Sequence, residues 1–279
     1  MSITPEQKES RRNHIGSSDM AALFIDSDGK SLDPFKGPLT VWTSKVHGVD
    51  PEENAAMRRG NRYEHALIEF AKEELGCAIE TDPDKLHFVC KEHPLFEANL
   101  DGYTIEDKRR IIEVKTTGMA QEWGDSSDDD VPSRVILQVH HQLLCSGMDT
   151  ALVVVLLGKF GLLEKIYTVN RNEEIINYII QRGEEFWNNH VLTKIPPTDA
   201  MPGDIELIKR IQRVPETWAE IDEELVRVWQ EKNRTRLDAE KEEKIALASL
   251  LAAVGTAEGA RTSWGTFTYF TQKGADSID

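Results

Sequence analysis

Apolar and polar positions change period several times along the chain, and each change predicts an element. IGSSDMAALF (15–24) reads as a turn feeding a short helix, with Ser17 or Ser18 as N-cap and Asp19 in the first turn. A helix is predicted from Pro38 to a stop at Gly48. Another, over about 52–75, spaces Tyr63, Leu67, Phe70 and Leu75 along one stripe and stops at Gly76. Short β-runs follow near 77–81, 86–90, 95–100 and 110–115, separated by Pro, Asp and Gly. After a polar loop, GDSSDDD (124–130), a helix is predicted from Pro132 to Cys145, with Gly147 as its stop. ALVVVLLG and LLEKIYTV form a strand pair, and a helix from Arg171 to Val191 closes the unit. Ile195-Pro196-Pro197, then Pro202-Gly203, predict a boundary, giving a core over 1–200 and an extension over 201–279. In the extension Trp218, Ile221, Leu225 and Val228 recur at helical spacing, and RTSWGTFTYFTQ (261–272) alternates as a strand. No internal repeat is evident. The expected fold class is α/β or α+β, with a helical C-terminal extension.

Composition adds limits. At 39% hydrophobic and 29% charged, the 279 residues suit a soluble globular protein with a core. The longest apolar run, ALVVVLLG, falls far short of the ~20 residues that span a bilayer. MSITPEQKESRRN lacks the apolar stretch of a signal peptide. Cys77, Cys90 and Cys145 are odd in number and scattered, so they furnish neither a disulfide framework nor a zinc or iron–sulfur ligand set. A reducing, cytoplasmic setting without membrane contact is expected. The net charge of −16 argues against nucleic-acid binding through a generally basic surface. That charge is uneven: residues 1–60 carry eight Lys/Arg against nine Asp/Glu, whereas 61–125 carry eight against fifteen. The N-terminal quarter, with the pairs Arg11-Arg12 and Arg58-Arg59, is the least hostile to a polyanion.

The candidate chemistry lies in LDGYTIEDKRRIIEVKTTG (100–118). Strand alternation puts Ile111, Glu113 and Lys115 on one face, with Glu113 and Lys115 about 6.6 Å apart. An isolated E-x-K is ordinarily a solvated sheet edge, and Asp-Gly an ordinary hairpin turn. Here Asp101 lies twelve residues before Glu113, follows the apolar FEANL, and precedes a strand as apolar as an interior one. Neighbouring strands would bring the two carboxylates together, and they repel unless a cation intervenes; hard oxygen ligands suit Mg²⁺. Lys115 would then position a water or stabilise an anionic transition state. Gln138, His141 and Gln142 share a helix face, a pattern that alone describes a solvated stripe. His140 and His141 are adjacent and point apart, which argues against zinc.

D-G…E-V-K with these flanks resembles the active site of the PD-(D/E)XK nuclease superfamily. RRNHIGSSDMAALF, MRRGNRYEHALIEFAKEELG, ANLDGY, IIEVKTTG and LQVHHQLLCSGMDTALVVVLLG, in that order over residues 11–158, narrow the resemblance. They point to the YqaJ-type viral recombinase family, which includes phage lambda exonuclease. The resemblance implies a restriction-endonuclease-like mixed sheet flanked by helices. It makes Asp101, Glu113 and the Val114 carbonyl metal ligands, with Glu64 completing the site, Lys115 the catalytic lysine and Gln138 a catalytic partner. Arg11 (or Arg12) and Ser18 would hold a DNA 5′-phosphate. The implied activity is a Mg²⁺-dependent 5′→3′ exonuclease on linear double-stranded DNA ends, with Mn²⁺ able to substitute. Its 3′ overhangs would feed phage-type recombination in a bacterial host, alongside a single-strand annealing protein. A homo-oligomer, a ring-shaped trimer encircling DNA, is implied too. The open alternatives are an endonuclease of the same superfamily, a non-catalytic DNA-binding scaffold, and a structural ion site on an unrelated protein.

Overall fold

The computed structural model describes residues 10–124, 130–158, 161–272 and 275–278; residues 125–129 of the predicted polar loop lie outside the described residues. The chain forms two compact units, one through Gln212 and one from Arg213.

The first unit contains β1 (Ile15–Gly16), α1 (Met20–Leu23), α2 (Pro38–His47), α3 (Ala55–Leu75), β2 (Ile79–Glu80), β3 (His87–Val89), β4 (Phe96–Asn99), β5 (Gly102–Thr104) and β6 (Ile111–Thr117). It continues with α4 (Ser133–Ser146), β7 (Thr150–Gly158), β8 (Leu162–Asn170), α5 (Glu173–Phe186) and α6 (Asp204–Lys209). The main sheet has the order β2-β5-β6-β7-β8, and a smaller one the order β1-β4-β3. Within the main sheet β6 runs parallel to β7 and antiparallel to β5. A parallel pair needs a crossover, and α4 supplies it. Both sheet faces are covered, which explains the unbroken apolar run in β7. Ile111, Ala151, Val153 and Val155 join the larger core with residues of α1, α4 and α5. Ile112, Leu152 and Val154 meet Leu67, Ile68 and Ala71 of α3 on the other side. The stops predicted at Gly76 and Gly147 hold, both glycines adopting the left-handed conformation at φ +62° and +71°.

Several expectations need correction. Neither Ser17 nor Ser18 caps a helix with its hydroxyl. Pairing of β1 with β4 keeps the chain extended to Gly16, whose N–H donates to Asp19 Oδ2 at 3.3 Å. The buried stripe of α3 is Leu67, Ile68 and Ala71, while Tyr63 is 38% exposed. Asp101-Gly102 is not a simple hairpin tip but the joint between β4 and the short β5, a strand the sequence pattern did not separate. Residues 201–212 belong with the first unit: buried Asp204 accepts hydrogen bonds from Thr40 Oγ1 at 2.5 Å and from the Met201 N–H at 2.7 Å, fastening α6 to α2.

The second unit consists of α7 (Glu223–Val254) and an antiparallel sheet of β9 (Gly259–Arg261), β10 (Thr266–Gln272) and β11 (Ala275–Ile278). Asp222 caps α7 by accepting from the Glu224 N–H, so Trp218 and Ile221 precede the helix rather than lie on it. No residue of α7 is buried, and Leu225 and Trp229 are exposed. Among the described residues no helix is long and apolar enough to cross a membrane.

Candidate active site

β6 builds the site by alternation. Its even residues Ile112 and Val114 turn toward α3, and its odd residues Glu113 and Lys115 turn toward α4. Glu113 is only 2% exposed, a position that a carboxylate holds only with strong partners. Those partners are present. Its Oε1 accepts from Lys115 Nζ and, at 2.7 Å, from Gln138 Nε2; its Oε2 accepts from Gln142 Nε2 at 2.6 Å. Lys115 Nζ also donates to Gln138 Oε1 at 2.9 Å, closing a Glu–Lys–Gln triangle. The helix face whose pattern alone describes a solvated stripe is turned inward, with Gln138 at the site as the resemblance implies. Gln142 and His141 are fully buried.

Strand register delivers the second carboxylate. Gly102 pairs with Ile112, so Asp101 arrives beside Glu113 just before β5 begins. Asp101 Oδ2 accepts from the Val114 N–H at 2.7 Å. A strand residue directs its N–H and C=O to the same edge, so the Val114 carbonyl faces the Asp101 side as well. Burial, and then the neighbouring Glu113 charge, push the Asp101 pKa from 3.8 up to about 8; Lys115 and the Val114 N–H act the other way, and Glu64 adds to the rise. For Lys115, burial disfavours the charge, but Glu113 and Asp101 outweigh it and raise the pKa above the usual lysine value. Lys115 is an ammonium here, a donor rather than a base.

Asp101, Glu113, Lys115 and Gln138 are thus brought together, and Glu64 lies within electrostatic reach of Asp101. Among the described residues no three His, Cys, Asp or Glu side chains enclose a cation by themselves. The donor set is two carboxylates and a backbone carbonyl, all hard oxygens, which suits a small divalent cation that keeps several of its waters. Burial and the Glu113 charge together favour a proton on Asp101, and a cation between the carboxylates would offset both, so the residues fit.

Of the expected phosphate-binding residues, Ser18 sits in a turn that packs against α4, the helix that carries Gln138. Ser18 is half-buried in a 3₁₀ turn over Ser17–Asp19. Asp19 pairs with Lys45 at 2.8 Å and Lys36 at 3.3 Å. Burial opposes its charge, but Lys45, Lys36 and Arg11 hold its carboxyl well below the usual range. Lys45 Nζ also donates to the Arg11 carbonyl at 2.7 Å. The guanidinium of Arg12 instead lies over Gly48, within 3.0 Å of where a Cβ would stand there. The structure therefore separates the two arginines and puts Arg11 with Asp19 and Lys45. The histidines diverge as expected: His140 Nδ1 meets the Ile136 carbonyl at 2.8 Å, His141 Nε2 the Glu97 carbonyl at 2.9 Å.

Residues 6–149, just over half of the chain, match the YqaJ-like viral recombinase domain. The chain belongs to the YqaJ-like viral recombinase family. Among its relatives is the uncharacterized protein YqaJ of Bacillus subtilis (strain 168), 29% identical over 208 residues, or 72% of this chain. The match spans 60% of that relative's length. The fold resembles an alkaline exonuclease (LHK-Exo) from Laribacter hongkongensis, at 18% identity, a TM-score of 0.53, and coverage of 69% of this chain and 94% of that one. The same exonuclease in complex with dAMP gives a TM-score of 0.54 at the same identity and coverage. This YqaJ-like chain thus has the mixed α/β fold of the exonuclease structures. Two buried residues, Gln142 beside Glu113 and Lys45 beside Asp19, carried no assigned role in the sequence reading. Gln142 signalled itself only by its i+4 spacing from Gln138, and Lys45 by nothing local.

Proposed function

We propose that this YqaJ-like recombinase is a Mg²⁺-dependent deoxyribonuclease, a 5′→3′ exonuclease that acts on linear duplex ends and leaves 3′ single strands for recombination. The observation that carries the reading is Asp101 pressed against Glu113 by register, with Lys115 charged beside them. Asp101, Glu113 and the Val114 carbonyl hold Mg²⁺, or Mn²⁺ in its place, and Glu64 completes the site. When bound, the cation supplies an activated water and offsets charge on the scissile phosphate. Lys115, tethered by Glu113 and Gln138, presents its ammonium to the attacking water and to a phosphate oxygen. Arg11 and Ser18 bind the 5′-phosphate, and Arg12, over Gly48, is the weaker candidate.

The assembly is a homo-oligomer, a trimeric ring by resemblance, working in the bacterial cytoplasm with a single-strand annealing protein. The unit from Arg213 supplies an oligomerisation or partner contact. A ring also reconciles DNA binding with the charge of −16, since DNA meets only the channel and the metals.

The test is digestion of linear duplex DNA bearing a 5′-phosphate or a 5′-hydroxyl, with Mg²⁺ and then with EDTA. Covalently closed circles and an Asp101→Asn protein run alongside. Mg²⁺-dependent loss of linear DNA alone, faster from the phosphate and absent in Asp101→Asn, is the expected result. Cutting of closed circles would replace the exonuclease with an endonuclease of the superfamily. DNA binding without digestion in any divalent metal would leave a non-catalytic scaffold.

A further inference from the structure

We propose that Gln142 is a positioning residue for the metal site, fixing the plane of the Glu113 carboxylate from its buried side. The inference rests on the reading of Asp101 and Glu113 as metal ligands. Gln142 is fully buried on α4, among apolar neighbours such as Val139 and Leu143 that are buried as well. Its Nε2 donates to Glu113 Oε2 at 2.6 Å. Its Oε1 is buried and finds no hydrogen-bond partner among the described residues. A buried amide ordinarily satisfies both ends. An apolar side chain of the same size would leave no such orphan, so what packing alone favours here is not glutamine. The feature that accounts for the residue is the donor it aims at Glu113. Its orientation follows from chemistry, because an ionised carboxylate only accepts.

The two oxygens of Glu113 are held from different sides. Oε1 is gripped by Lys115, whose side chain is 27% exposed, and by Gln138, its partner in the triangle. Oε2 has Gln142 as its one hydrogen-bond donor among the described residues. A carboxylate pinned at both oxygens cannot turn about its last bond. Without Gln142 it pivots about Oε1, and the oxygen lone pairs lose their fixed aim. Groups that orient a metal ligand in this way typically change metal affinity by about 10–100-fold when removed.

The experiment compares wild type and Gln142→Met, which keeps volume and removes the donor. It measures Mn²⁺ binding by electron paramagnetic resonance, duplex binding by anisotropy in EDTA, and cleavage over a metal titration. The expected result is Mn²⁺ affinity weakened about 10-fold or more, DNA affinity in EDTA unchanged, and cleavage recovering as Mn²⁺ is raised. Gln142→Asn, which keeps an amide but withdraws it by one methylene, should show the same metal defect and stands in if the methionine variant does not fold. Unchanged Mn²⁺ affinity in a folded variant, with only a lower melting temperature, would overturn the inference and leave Gln142 a packing residue. A wild-type protein that neither binds Mn²⁺ nor cleaves DNA would instead remove the metal-site reading on which it rests.

Discussion

At Asp101, burial and then the Glu113 carboxylate that strand register brings beside it set the proton balance of the site. With a pKa raised from 3.8 to about 8, the folded metal-free protein binds a proton that the unfolded chain has already released between those values. Stability linked to Asp101 therefore falls as pH rises through that window. Melting of the metal-free protein at about pH 5 and about pH 8 should show this decline, and Asp101→Asn should flatten it. Mg²⁺ should raise the melting temperature more at the higher pH, because bound metal and bound proton compete for the same oxygens. Asp19 has the opposite balance, as three cations favour its charge. Asp19→Ala would leave Lys45, whose side chain is 2% exposed, buried without a counter-charge. A loss of about 3–5 kcal/mol in urea unfolding is expected, the range typical of breaking a buried pair.

Between elements, the site depends on how closely β5 approaches β2. A Cβ on Gly102 would stand 2.8 Å from Ile79 Cγ2 and 3.0 Å from the Glu80 carbonyl, so even alanine forces the two strands apart. Gly102→Ala should cost about 1–3 kcal/mol as overpacking and shift Asp101 out of line with Glu113. Chemical denaturation reads the first effect and Mn²⁺ affinity the second. Most elements were legible in the sequence because their periods were clean: α2, α4 and the β7–β8 pair fall close to the predicted limits. The E-x-K alternation likewise put Glu113 and Lys115 on one face, as found. What remained illegible depended on distant partners. Nothing near Gln142 indicates that Glu113 lies above it, and nothing near Lys45 marks Asp19 as its partner. The N-cap at Ser17 or Ser18 failed for the same reason, since pairing of β1 with a strand that begins only at Phe96 has no local signature.

For the whole molecule, the first unit closes its own hydrophobic clusters within the residues preceding Arg213. A chain ending at Gln212 should therefore still unfold cooperatively by circular dichroism. If the unit from Arg213 supplies assembly contacts, light scattering should give the intact protein about three times the mass of one chain, and the shortened one less. The free edge of β6 has a colloidal consequence as well. β5 pairs only with Ile111 and Ile112, and beyond them the Asp101 carboxylate, not a strand, occupies the Val114 N–H. An unpaired edge is a template on which another chain can add. Asp101 thus acts as a stopper against intermolecular strand growth, quite apart from any cation it holds. Asp101→Ala, which uncovers that N–H, should grow turbid on concentration, while Asp101→Asn, still an acceptor, should stay clear. The asparagine form is then the inactive protein to choose for crystallising a complex with DNA.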